Sequence, residues 1–151
     1  MTTTGRSEFV YVTYIRTTVE RLWEALTNPE QTVEYWYGMR STPEQKAGGA
    51  WSLVSREGQV MDSGEVLEFD APKRLVLRWR NEWKEEYKAE GYTRCSMDLE
   101  PFGETVKLTV RHWMEGDGAQ FIGAVSNGWP QILSNLKSWL ETGEIILMRY
   151  K

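Results

Sequence analysis

Hydrophobic positions along this chain change period three times, and the changes mark out its elements. Phe9, Tyr11, Thr13 and Ile15 alternate with Val10, Val12, Tyr14 and Arg16, a β-branched and aromatic run that predicts a first strand over about residues 8–16. Thr17 precedes Glu20 by three residues, the capping-box spacing, and Val19, Leu22, Trp23 and Leu26 then fall at helical spacing. Asn28-Pro29-Glu30-Gln31 repeats the start signal, with an Asn cap followed by Pro at the first helical position, so a second short helix should carry Val33 and Trp36.

From Gly38 to Trp113 the period becomes two, broken at Gly48-Gly49, Glu57-Gly58, Asp70-Ala71-Pro72-Lys73, Glu90-Gly91 and Pro101-Phe102-Gly103-Glu104. Five or six antiparallel strands fit between these breaks, the clearest being 50–56, 60–69, 74–83, 92–100 and 105–113. A four-residue turn at Asp70 to Lys73 sets Gly64 opposite Trp79, Glu65 opposite Arg78 and Val66 opposite Leu77. The same register puts Glu68 on the inner face, although its nearness to the turn favours a solvated rim. The mixed-charge run Arg80 to Glu90 reads as an exposed strand end and loop, or alternatively as a gate over a pocket.

Asp117, with Gln120 three residues on, predicts the start of a last helix. Phe121, Val125, Trp129, Ile132, Leu136 and Trp139/Leu140 form its apolar stripe, and Gly143 ends it. Pro130 predicts a kink or break near residues 126–130, because it removes the bond to the Ser126 carbonyl. The order of elements is that of an α+β fold with helices on one face of an antiparallel sheet. A single domain over residues 8–143, with tails at 1–7 and 144–151, is expected.

Chemistry narrows less than shape does. The 151 residues hold eight Trp, one His and one Cys, and the formal net charge is −4. No stretch concentrates Lys and Arg without interleaved acids, so no nucleic-acid partner is expected. No apolar run reaches the roughly 20 residues of a membrane span, and Met1 to Arg6 lack the features of a signal peptide, so a cytoplasmic location is expected and no membrane partner. His112 lies in phase with Val106, Leu108 and Val110 and should point inward, either as a polar anchor at a pocket or as a hydrogen-bonded core histidine. Cys95 falls in an inward set with Thr93, Met97 and Leu99 and reads as a small hydrophobe. One His and one Cys without a tight acidic cluster do not make a transition-metal site. No catalytic residue, metal or cofactor is assigned.

Among the tryptophans, Trp23 and Trp139 read as helix-face core, while Trp83 and Trp113 lie near strand ends, where a rim or an oligomer contact fits. Trp36, Trp51, Trp79 and Trp129 converge between sheet and long helix. With His112, Phe121 and Val125 they form the predicted ligand-binding set, in which core packing remains the competing role.

The succession Val19-Glu20-Arg21-Leu22-Trp23-Glu24-Ala25-Leu26-Thr27-Asn28-Pro29-Glu30, then Trp36, Gly48-Gly49-Ala50-Trp51, Gly64-Glu65-Val66-Leu67-Glu68, Pro72-Lys73-Arg74-Leu75, Trp79, Leu108-Thr109-Val110-Arg111-His112 and Gly128-Trp129 resembles the domain homologous to the C-terminal half of the heat-shock-protein-90 ATPase activator. The resemblance covers roughly residues 8–140. It implies the helix-grip fold shared with START lipid-transfer domains, pollen-allergen-like proteins and polyketide cyclases, in which a curved sheet wraps a long C-terminal helix around an apolar cavity. Three functions stay open on this basis. The first is binding of a hydrophobic small molecule, with a homodimer possible. The second is a cyclase- or hydrolase-type enzyme using His112 as acid/base with Glu68 or a Tyr as helper. The third is a co-chaperone-like role with a chaperone partner, weakened because the eukaryotic activator carries a separate N-terminal domain and the first strand is expected here from residue 8.

Overall fold

The computed structural model describes residues 5–116 and 119–147. Strand β1 (Arg6–Ile15) leads into helices α1 (Val19–Thr27) and α2 (Pro29–Tyr35), followed by β2 (Arg40–Pro43), β3 (Ala50–Val54), β4 (Val60–Asp70), β5 (Arg74–Asn81), the short helix α3 (Glu85–Glu90), β6 (Thr93–Phe102), β7 (Thr105–Glu115) and the long helix α4 (Gln120–Thr142). The seven strands form one antiparallel sheet in the order β1-β7-β6-β5-β4-β3-β2, and α4 lies against its inner face beside β1. This is the helix-grip arrangement expected from the sequence. Among the described residues, no helix is long and apolar enough to cross a membrane.

Local signals mostly act as the sequence suggests. Asn28 caps α2 by accepting from the Glu30 amide, and Pro29 opens the helix. The α1 cap is shifted by one residue: Thr18 accepts from the Arg21 amide, while the Thr17 hydroxyl is sealed in without a partner. With Thr18 as cap, Glu20 comes one position too early to close a capping box. Trp36 follows α2 rather than lying on it, and that helix buries Thr32 and Tyr35 instead of Val33. β2, not among the strands read most clearly from sequence, is four residues long and pairs with β3.

Two expectations fail for physical reasons. The run from Glu85 to Glu90 is a helix, not a loop: the Tyr87 ring packs 5.6 Å from that of Phe121, and the Glu90 carboxylate accepts from the Gln120 and Phe121 amides. A side chain from α3 therefore satisfies the first orphan amides of α4, stabilised by the positive end of the helix dipole. Asp117, the expected cap, lies outside the described residues. Nor does α4 break at Pro130: of the kink or break expected there, the break is overturned, because the helix is continuous from residue 120 to 142. Trp129, Ile132 and Leu133 bury against the sheet around the proline, which outweighs the single backbone bond it forfeits.

The register is as expected at the centre of the β4–β5 pair, where Gly64 faces Trp79, Glu65 faces Arg78 and Val66 faces Leu77. Nearer the turn, a bulge between Val66 and Glu68 shifts the pairing, so that Asp70 faces Arg74 across a tighter loop. The bulge reverses the parity of the strand end. Glu68 consequently points outward to Arg74 at 3.2 Å, solvated as its nearness to the turn favoured but on the outer face rather than the inner one, and Phe69 turns inward onto Trp23 with centroids 5.2 Å apart.

Gly64 sits between two tryptophans, paired with Trp51 on β3 and Trp79 on β5. A Cβ at this position would run into the Arg78 carbonyl of the neighbouring strand. Backbone cannot move aside as a flexible side chain can, so Gly64→Ala is expected to lower unfolding free energy by more than about 2 kcal/mol. Urea titration with an unchanged slope is the check, and a loss within the ±0.5 kcal/mol typical of surface changes would contradict the close approach.

Candidate functional site

A cavity of about 140 Å³ lies between the sheet and α4. Its walls come from positions that the local structure aligns. Leu53, Asp62 and Asn81 face one another across β3, β4 and β5, and Trp79 stands on the next inward rung. The roof is one face of α4: Phe121, Val125, Gly128, Trp129 and Ile132. Trp36 closes the side, its ring 5.4 Å from Trp129 and 6.3 Å from Trp79. Val125 and Gly128 are half-buried, which places the mouth along that edge of the helix.

Five of the seven residues expected at a ligand site line this cavity: Trp36, Trp79, Phe121, Val125 and Trp129. Trp51 and His112 lie behind the wall. The Trp51 ring backs Trp79 at 4.3 Å and donates its Nε1–H to the Ser41 hydroxyl at 3.0 Å. His112 is buried, its ring 4.9 Å from that of Trp79. Of the other tryptophans, Trp23 is buried core, Trp139 is half-buried against Tyr35, Trp83 is exposed, and Trp113 is covered by Arg6 at 5.0 Å.

His112 belongs to a directional relay. Trp129 Nε1–H donates to His112 Nδ1 at 3.1 Å, which fixes the proton on Nε2. That Nε2–H donates to Thr93 Oγ1 at 2.8 Å, and the Thr93 hydroxyl donates to the Trp79 carbonyl at 2.8 Å. Each member has its partner, and burial pushes the imidazole down to about 3, so it is neutral at physiological pH. A ring so enclosed, with both nitrogens engaged, is a poor acid or base for a substrate in the cavity. Cys95 is also buried, and burial pushes its thiol up, away from the reactive thiolate. Among the described residues, no group of three or more His, Cys, Asp and Glu is placed to hold a metal ion.

Asp62 and Asn81 are the site residues the sequence reading missed. Asp62 is 6% exposed; its Oδ2 accepts from Trp79 Nε1 at 2.8 Å and from Asn81 Nδ2 at 3.3 Å. Burial is the main cause that raises this carboxyl to about 6, opposed by those two bonds and helped by Glu82. The signal was available. Asp62 shares the parity of Gly64 and Val66 on β4, and carrying the same register two residues further sets it opposite Asn81.

The two buried titratable groups give stability opposite dependences on pH. The contribution of His112, whose folded value lies below 6.5, is present above pH 6.5 and is lost as pH falls toward 3. That of Asp62, raised from 3.8, is present below pH 3.8 and is lost as pH rises through 6. Asp62→Asn is therefore expected to be more stable than wild type at pH 7.5, by on the order of 1–3 kcal/mol, and to show no such gain at pH 4. His112→Gln is expected to cost about 1–3 kcal/mol at pH 7.5, with the deficit shrinking on acidification. Urea titrations at the two pH values test both signs.

Comparison with known proteins places this geometry. No protein of curated function matches the chain in sequence. Among solved structures, CalU16 from Micromonospora echinospora is similar at 18% identity and a TM-score of 0.70, covering 93% of this chain and 87% of that one. PFC0360w, an HSP90 activator from Plasmodium falciparum, is 19% identical with a TM-score of 0.71, covering 91% and 97%. The Aha1 dimer from Colwellia psychrerythraea is 18% identical with a TM-score of 0.72, covering 90% and 97%. At these identities the likeness is one of fold. The family described as activator of Hsp90 ATPase homolog 1-like protein matches residues 16–141, nearly the whole of the folded chain, and the protein belongs to that family.

Proposed function

We propose that this protein binds a small, largely apolar molecule of about one ring in the cavity beneath α4, without transforming it. The observation that carries the reading is a tryptophan-walled space of about 140 Å³, close to the roughly 150 Å³ in which an apolar protein cavity accepts benzene. The enzyme reading is disfavoured by the same wall. His112 is neutral and held behind Trp79, and Glu68, its supposed helper, is on the outer face.

A ligand that fits should stabilise the folded state by mass action. Toluene at ten times its dissociation constant is expected to raise unfolding free energy by about 1.4 kcal/mol. Val125→Trp, which places an indole at the half-buried mouth, should abolish that gain while leaving the unliganded protein folded. Absence of any stabilisation by toluene or similar one-ring probes would remove the binding reading.

A second reading, contact with another protein, draws on the outer face of the sheet edge. Val10, Val12 and Tyr14 of β1 are 44%, 44% and 42% exposed, and Phe102 at 55% packs edge-on against Tyr14. Contiguous exposed apolar side chains of this kind favour a covering partner. If a second copy is that partner, light scattering gives twice the monomer mass for the wild type and the monomer mass for Val12→Lys; a monomeric wild type at high concentration excludes the homodimer.

A further inference from the structure

Asp62 faces the cavity with one oxygen committed and one open. Oδ2 takes the bonds from Trp79 and Asn81, while Oδ1 has no hydrogen-bond partner among the described residues. Nor is Oδ1 sealed in: Thr17 Oγ1 is the one enclosed, unpartnered side-chain polar atom among them. An atom neither bonded nor enclosed, on a side chain that lines the cavity, opens onto that cavity.

Among the described residues, no cation balances this carboxylate. The one charge it feels is the like charge of Glu82, which is itself held by Arg80 at 2.8 Å and Lys88 at 3.4 Å. The other lining residues are Trp36, Leu53, Trp79, Asn81 and the α4 face, none of which carries a charge. A buried carboxylate without a counter-ion is costly, and the electron-rich faces of indole rings attract a desolvated positive charge.

We propose that the occupant of this cavity is a small organic cation, an alkylammonium group, with Asp62 Oδ1 as its counter-ion and Trp36, Trp79 and Trp129 as its aromatic walls. The proposal rests on the binding reading above and specifies its ligand. One carboxylate among apolar walls suits such a cation better than a metal ion, which would have to surrender its water for a single oxygen ligand. The charge also explains why Asp62 stands where an apolar residue would better fill an apolar pocket: it selects among molecules of equal shape.

The probes are choline and 3,3-dimethyl-1-butanol, which share a shape and differ in charge, measured by calorimetry against the whole chain. Choline is expected to bind at least tenfold more tightly, and Asp62→Asn to erase that preference while keeping the fold. The wild type supplies an independent arm should the variant fail to fold. Choline affinity should fall roughly tenfold between pH 7.5 and 5 as Asp62 takes up a proton, with the alcohol unaffected. Of the groups facing Asp62, Glu82 from the end of β5 stays ionised in that window, held below the usual carboxylate range chiefly by Arg80, and His112 behind Trp79 stays neutral. Equal affinity for the two probes, or binding of toluene but not of choline, overturns the cation and leaves the binding reading intact. Failure of choline, the alcohol and toluene alike overturns both. Choline binding that survives Val125→Trp would place it outside the cavity and likewise overturn the proposal.

Discussion

The arrangement depends on the absence of one side chain. Gly64 lets the β4 backbone come close enough to β5 that a methyl group would collide with the Arg78 carbonyl, and it leaves open the inner face between Trp51 and Trp79. Those indoles, two strands apart, can meet over the glycine at 4.3 Å. Their contact fixes the plane of Trp79, whose Nε1–H then points at Asp62. The floor of the cavity and its one titratable wall group both follow from that spacing.

The roof is tied to the same strand by polar links. The chain from Trp129 through His112 and Thr93 to the Trp79 carbonyl joins α4, β7, β6 and β5 with each donor and acceptor satisfied. Buried polar groups are stabilising only when every member finds its partner, and such a network is correspondingly unforgiving of a change in helix position. Glu90 acts at the other end of the roof, where it anchors the first turn of α4 to α3. Asn135 holds the segment after the helix, its Oδ1 accepting from the Ile146 and Leu147 amides.

Much of this was legible in the sequence because it is set by local or periodic rules. Strand parity correctly turned His112 inward, and Gly64 does face Trp79, although the loop is one residue tighter than expected and the bulge offsets the difference. The features that escaped depend on tertiary context. The bulge near Leu67 is one extra residue that no periodicity announces, and it alone decides that Glu68 faces water. The helix at Glu85–Glu90 is polar and too short to declare itself; it is held by Phe121 and by the free amides of a helix thirty residues later. The break expected at Pro130 follows from backbone rules alone, whereas burial of its neighbours accompanies a continuous helix. Asp62 went unnoticed as a lone acid among polar residues, since its meaning lies in the indole and amide that face it.

The pairing of β1 with β7 bears on how the chain reaches this state. Among the described residues the first strand has no other strand neighbour in the sheet, and its partner is made about a hundred residues later, so its edge must wait through synthesis of the whole meander. Closing so long a loop is entropically slow, and the waiting strand is rich in Val and Tyr. The last strand and the long helix that packs on β1 therefore complete one cooperative event, and truncation between β6 and β7 would leave an unpaired apolar strand exposed to aggregation.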